Sequence, residues 1–296
     1  MATDTTLSVA TGRAPRDEGF ELTGPGTSPV QLLRELWMSR QLIGVLARKD
    51  FLVKYRRTSL GLIWAVLLPA IQAIVLAVVF SHLIGSSHRL GGVTGGRTTA
   101  YGVFIFAGMV PWSFFNAAFA AGATSVVDGT GLARRIYFPR AVLPLISVVT
   151  AVFPLLITAG ILLVMEVALG PEPGVRTLWM VPGTLLVIAL AASLSLFVSA
   201  AHVYIRDLRY AVAAGLIMLF YITPVIYGVD RLPNSVREVV RLLPTAGPVE
   251  LFRESIGAAD ARWWTFVVSS CVWVFVVGVA GFVLHCRRDR VLADRL

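Results

Sequence analysis

Of 296 residues, 56% are hydrophobic and 15% are charged, and mean hydropathy is +0.77. Soluble domains carry about 25% charged residues and disordered chains lack this much apolar content, so a polytopic membrane protein remains. The net charge of +9 would point to nucleic acid in a soluble protein, but in a membrane protein it is first a topology signal, because cytoplasmic loops collect Lys and Arg.

Residues 1–27 hold Thr, Gly, Pro and charge without periodicity and read as a disordered cytoplasmic tail. Ser28-Pro29-Val30-Gln31 has the form of a helix start: Ser28 caps, Pro29 suits the first helical position, and Gln31 completes a capping box. Beyond it, Leu33, Leu36, Trp37, Ile43, Leu46, Phe51 and Val53 recur at helical spacing, and Arg34, Arg40, Arg48, Lys49, Lys54, Arg56 and Arg57 fill the remainder. This pattern predicts an amphipathic interface helix over 28–60, lying at a membrane surface.

Apolar stretches long enough to cross a bilayer follow at about 62–84, 101–124, 141–169, 178–203, 211–228 and 263–284. Pro69, Pro111 and Pro224 predict kinks or local openings. The Trp263-Trp264 pair suits the interfacial aromatic belt. Within 229–262, Asn234–Leu243 and Pro248–Ile256 show helical spacing between Pro and Gly breakers, which predicts two short outer helices. Residues 287–296 form a second cytoplasmic tail. The expected fold is therefore an all-α polytopic membrane protein with six spans.

The charges orient it. With the N-terminus inside, the inner segments hold 18 of the 26 basic residues and the outer ones eight; five of those eight lie in 229–262 beside five acids. Both termini are thus expected in the cytoplasm of a multi-pass plasma (inner) membrane protein, and nucleic acid is not needed to explain the charge.

Several chemistries find no residues to carry them. A P-loop needs Gly-Lys-Ser/Thr, yet the only lysines, Lys49 and Lys54, precede Asp50 and Tyr55. His82, His88, His202 and His285 are scattered, and no paired Cys or His spacing suggests a metal. Cys271 and Cys286, on one helix, stand roughly 22 Å apart, too far for a disulfide. The expectation is no enzyme, no cofactor and no metal in this chain. Glu166 is the only acid well inside a span, near its outer end; it reads either as an interfacial acid or as a proton-coupling site.

Four segments in order resemble the permease of type-2 ABC exporters, in the branch that exports lipid-linked polysaccharide, O-antigen and teichoic acid. They are Lys54-Tyr55-Arg56-Arg57-Thr58-Ser59-Leu60-Gly61-Leu62-Ile63-Trp64; Gly108 through Pro111-Trp112-Ser113-Phe114-Phe115 to Arg135-Ile136-Tyr137-Phe138-Pro139-Arg140; Arg206-Asp207-Leu208 with Thr223-Pro224-Val225-Ile226-Tyr227; and Gly247-Pro248-Val249-Glu250 with Phe252-Arg253. The resemblance covers residues 30–286. One departure is Gly247-Pro248, where the family commonly has Asn-Pro.

The resemblance implies a homodimer bound to two copies of a separate ATPase subunit, which would hold ATP and Mg. It implies that the two short outer helices are gate helices, and that the loop of about 125–140 is a coupling element, with Arg134, Arg135, Tyr137, Phe138 and Arg140 as its contacts. Those arginines also satisfy the plain topology rule. A polyprenyl-pyrophosphate headgroup would be drawn to Lys54, Arg56 and Arg57 and to Arg206 and Arg209, because guanidinium pairs bidentately with phosphate oxygens. Sugars stack on aromatic faces, which makes Trp112, Phe115, Phe119, Phe220 and Tyr221 candidate channel residues, although any of them also suits a lipid-facing or packing role. The expected function is the channel subunit of an ATP-driven exporter of lipid-linked polysaccharide, a galactan among the open substrates. The alternatives are a type-2 permease for a drug or small lipid, and a proton-coupled secondary transporter, which would need paired intramembrane ionisable residues.

Overall fold

The computed structural model describes residues 29–56, 61–83, 101–129, 138–169, 174–205 and 207–294, and among them it is all-helical with no strand. Two helices, α1 (Pro29–Met38) and α2 (Arg40–Arg56), make up the amphipathic segment. Helical hydrogen bonding carries across their junction: Ser39 N–H donates to the Glu35 carbonyl at 2.8 Å, and Ile43 N–H to the Ser39 carbonyl at 2.9 Å. Leu32 is buried, while Val30, Leu33 and Trp37 leave an exposed apolar stripe on α1, with the Arg40 guanidinium 4.8 Å from the Trp37 ring. An apolar stripe beside cationic heads is the pattern of a helix seated in a membrane surface.

Next come α3 (Ile63–Leu83), α4 (Tyr101–Asp128), α5 (Val142–Leu169), α6 (Met180–His202), α7 (Leu208–Ile222), α8 (Asn234–Arg241), α9 (Ala246–Ser255) and α10 (Trp263–Asp294). Four stretches are long and apolar enough to span a bilayer: Tyr101–Asp128, Val142–Ala168, Val175–His202 and Trp263–Arg287. The apolar part of α3, Val66–Val79, and α7 are shorter. At 15 residues, α7 rises roughly 22 Å, short of a hydrocarbon core of about 30 Å. Its end has a local cause. Pro224 disfavours helix in the residue before it, and Thr223 is extended, with φ −67° and ψ 134°.

α4 is the central element. It packs on α5 and on α6, and α6 packs in turn on α10. Every residue from Val103 to Trp112 is buried. By contrast α5 and α10 turn Phe153, Leu156, Val164 and Val272, Phe275, Val276 outward, the broad apolar exposure of lipid-facing helices. α9 fits between α4, α6 and α10. Its start explains Gly247: the Gly247 N–H donates to Ser270 Oγ at 3.1 Å, and a Cβ there would run into that same oxygen. A larger residue before Pro248 has no room while Ser270 holds that place.

Candidate transport site

Helices α2, α3, α4, α5 and α7 enclose a cavity of about 1010 Å³. Gly122 of α4 lies beside Pro144 of α5, so these helices run antiparallel, and Trp112 stands level with the Pro154 turn. Along α5 the lining runs from Ser147 to Thr158, about 16 Å at 1.5 Å per residue.

Part of the cavity lining is charged. Asp50 and Lys54, one turn apart on α2, line it with Tyr55. Lys54 is exposed, its ammonium 5.6 Å from the Tyr55 ring. Polar side chains stand at intervals in a mainly apolar lining: Gln72 of α3, Ser113 and Asn116 of α4, and Ser147, Thr150 and Thr158 of α5. Asn116, Ala117 and Ala120 are exposed on an otherwise buried helix, so this stripe is the open face of α4. Pro154 also lines the cavity. It has no N–H, so the Thr150 carbonyl loses its helical donor and is left to accept from another. Thr158 Oγ1 caps the next carbonyls, donating to Pro154 at 3.1 Å and Leu155 at 3.0 Å.

Another part is aromatic. Trp112, Phe220 and Tyr221 line it, with ring centroids 5.4 Å apart in both the Trp112–Phe220 and Phe220–Tyr221 pairs. Tyr221 is 66% exposed, whereas Trp112 is buried with one edge on the cavity. Phe115 and Phe119 continue the row of rings at 5.9 and 5.5 Å, but behind Trp112, packed into the core rather than lining the cavity.

The remaining candidate residues are dispersed. Arg209 is engaged by a carboxylate: its Nη2 lies 2.6 Å from Asp128 Oδ1, joining the first turn of α7 to the last of α4. Phe138 is buried among Ala47 of α2 and Val126, Val142 and Ile146, and Arg140 is half-buried beside it. Arg56 closes α2. Arg57, Arg134, Arg135, Tyr137 and Arg206 lie outside the described residues. Glu166 is 2% exposed, and its Oε1 accepts from Thr177 Oγ1 at 2.8 Å. Among the described residues no group of His, Cys, Asp and Glu could hold a metal ion.

Beyond the aromatic part, the chain leaves α7 and packs as buried non-helical backbone, with Thr223, Pro224, Val225 and Ile226 all inaccessible. Gly108 admits it: a Cβ there would lie 2.9 Å from the Val225 carbonyl oxygen. This segment is held by side chains. Arg253 Nη2 donates to the Val225 carbonyl at 3.0 Å, the Tyr101 hydroxyl to the Ile226 carbonyl at 3.1 Å, and the Thr223 and Thr245 hydroxyls share a bond of 2.6 Å. Arg253, fully buried, also pairs with Glu250 Oε1 at 3.0 Å and lies 4.0 Å over the Phe104 ring. Glu250 Oε2 accepts the Asp260 N–H at 2.8 Å. Burial pushes the Glu250 carboxyl above the usual carboxylate range, and the Arg253 charge opposes that shift. In sequence, Glu250 and Arg253 stand in a motif with no role attached. The signal was two opposite charges three residues apart on a helix, flanked by Val249, Leu251 and Phe252.

Long apolar helices around a cavity with polar groups in its lining are built as a membrane transport protein. The ABC-2 type transporter family matches residues 41–256, and the chain belongs to that family. Among curated relatives, an O-antigen export system permease protein RfbA of Klebsiella pneumoniae is 24% identical over 244 residues, 81% of this chain and 90% of its own length. A second RfbA from the same species is 23% identical over 248 residues, and one from Myxococcus xanthus is 27% identical over 206, covering 70% of this chain and 75% of the relative.

Proposed function

We propose that this chain is the channel-forming subunit of an ATP-driven exporter that moves lipid-linked polysaccharide from the cytoplasmic to the outer side of the inner membrane. The observation that carries this reading is the cavity itself, which brings a lysine, several polar side chains and the exposed ring of Tyr221 into one lining. The names of the relatives, O-antigen export system permeases, agree with it.

The anionic headgroup docks at α2, where Lys54 opens onto the cavity, with Arg56, Arg57 and Arg206 as its further proposed contacts, and Arg209 is held back by Asp128. Sugar rings then pass the Ser and Asn face of α4 and stack on Tyr221, Phe220 and the edge of Trp112. Phe115 and Phe119 support that row from behind. In this reading α3 and α7 complete six spans, both termini are cytoplasmic, and α8 and α9 form the outer gate. The working unit is a homodimer: the exposed apolar faces of α3 (Leu68, Ile71, Val75) and α7 (Ile217, Met218) flank the cavity and are covered by a second copy. Two ATPase subunits bind ATP and Mg and press on the 125–140 loop through Arg134, Arg135, Tyr137 and Arg140. Phe138, packed against Ala47, passes that motion to α2 and hence to Lys54.

The test is reconstitution of the chain with the ATPase subunit that copurifies with it, in liposomes loaded with lipid-linked glycan. Glycan becomes accessible on the far side only with ATP and both subunits. Transport by the chain alone, or transport only of a small hydrophobic drug, contradicts the proposal.

A further inference from the structure

We propose that Arg253 is a positioning residue that, with Tyr101, holds the Thr223–Tyr227 segment as a releasable outer plug across the end of the cavity. This rests on reading the cavity as a conduit. At membrane depth, non-helical backbone persists only where its polar groups find partners inside the protein. The helix ladder ends at Thr223, whose N–H still reaches the Leu219 carbonyl at 2.8 Å. The next carbonyls, Val225 and Ile226, take their bonds from Arg253 and Tyr101.

The identity of these donors matters. Both bonds run from side chain to main chain, so Val225 and Ile226 can leave their seat without breaking a helical bond, while the Thr223–Thr245 hydroxyl pair, 2.6 Å apart, pins the near end of the segment. Arg253 cannot follow it: Glu250 holds one arm of the guanidinium, Phe104 lies beneath, and Glu250 is itself tied to the Asp260 N–H. One fixed cation therefore grips one movable carbonyl. The seat is also shaped for a tight seal, since Gly108 lets the Val225 backbone lie directly on α4. The plug begins two residues after Tyr221, so motion of α7 at the cavity is transmitted to it along the chain.

The experiment measures ion leak through the reconstituted complex of chain and ATPase without nucleotide, for wild type, Tyr101→Phe and the double variant Glu250→Gln/Arg253→Gln. The double variant keeps an amide pair in place of the buried charges. Removing a bond that holds the closed state raises its resting leak about tenfold, the factor that ~1.4 kcal/mol represents. Tyr101→Phe, which keeps the ring packing and the ion pair but leaves the Ile226 carbonyl without its donor, raises leak several-fold with only a small drop in melting temperature. A purely structural role moves the melting temperature and leaves the seal intact. Both variants folded and as tight as wild type overturn the proposal; if the double variant does not purify, a tight Tyr101→Phe overturns it alone. The leak assay needs no polysaccharide, so a failure of the substrate assignment leaves this result standing.

Discussion

The cavity wall and the segment beyond it are built on opposite terms. Along the wall, Lys54, Gln72 and Asn116 are exposed. At the far end Arg253 and Glu250 are about 1% exposed and tied to carbonyl, amide, carboxylate and ring. A group kept available for a passing ligand stays exposed, whereas a group that seals is buried with partners of its own. Buried charge is costly unless it is paired and hydrogen-bonded, which is why the far end tolerates an ion pair whose members also bond a carbonyl and an amide. The contrast therefore separates residues that would meet substrate from residues that hold the protein.

That contrast can be broken by substitution. The largest effect is expected at Arg253→Ala, which strands Glu250 and should cost about 3–5 kcal/mol in denaturant or thermal unfolding. A loss near zero would mean that water reaches the pair. Phe115→Ala should cost a similar ~3–5 kcal/mol, because the ring sits in the core behind Trp112. Tyr221→Ala, on an exposed ring, should change stability by no more than about 0.5 kcal/mol and lower glycan transport instead. Equal destabilisation of those two would erase the distinction between lining and core. Gly108→Ala puts a methyl 2.9 Å from the Val225 oxygen and, as an overpacked contact, should cost about 1–3 kcal/mol and raise resting leak. A small effect is also expected for Arg209→Ala. Its ion pair with Asp128 is half exposed on both sides and should contribute under about 1 kcal/mol, less at high salt.

Much of the fold was legible because apolar runs and breakers are local. The all-helical class follows from runs of about 20 apolar residues, whereas the fifth apolar stretch, read to residue 228, breaks off at Ile222 because Pro224 disfavours helix in the residue before it. Lys54 could be singled out because it is one of two lysines and stands just before a span. What composition could not reveal was facing. In an apolar helix every side looks alike, so Phe115 and Trp112 read as equivalent although one is core and the other borders the cavity. Long-range partners were equally hidden. The Arg253–Val225 bond spans 28 residues and the Tyr101–Ile226 bond 125, and neither leaves a periodic trace. Gly247 read as a departure from the family pattern until Ser270 supplied its steric reason.

The most direct test of the open and sealed ends is side-specific labelling of Asn116→Cys with a membrane-impermeant thiol reagent, in a background of Cys271→Ser and Cys286→Ser. Asn116 is exposed on the cavity wall that also carries Lys54 and the aromatic rings. The resting complex should react when reagent is added on the side of α2 and stay protected from the opposite side. Labelling from the opposite side, or from both at equal rates, would contradict the account.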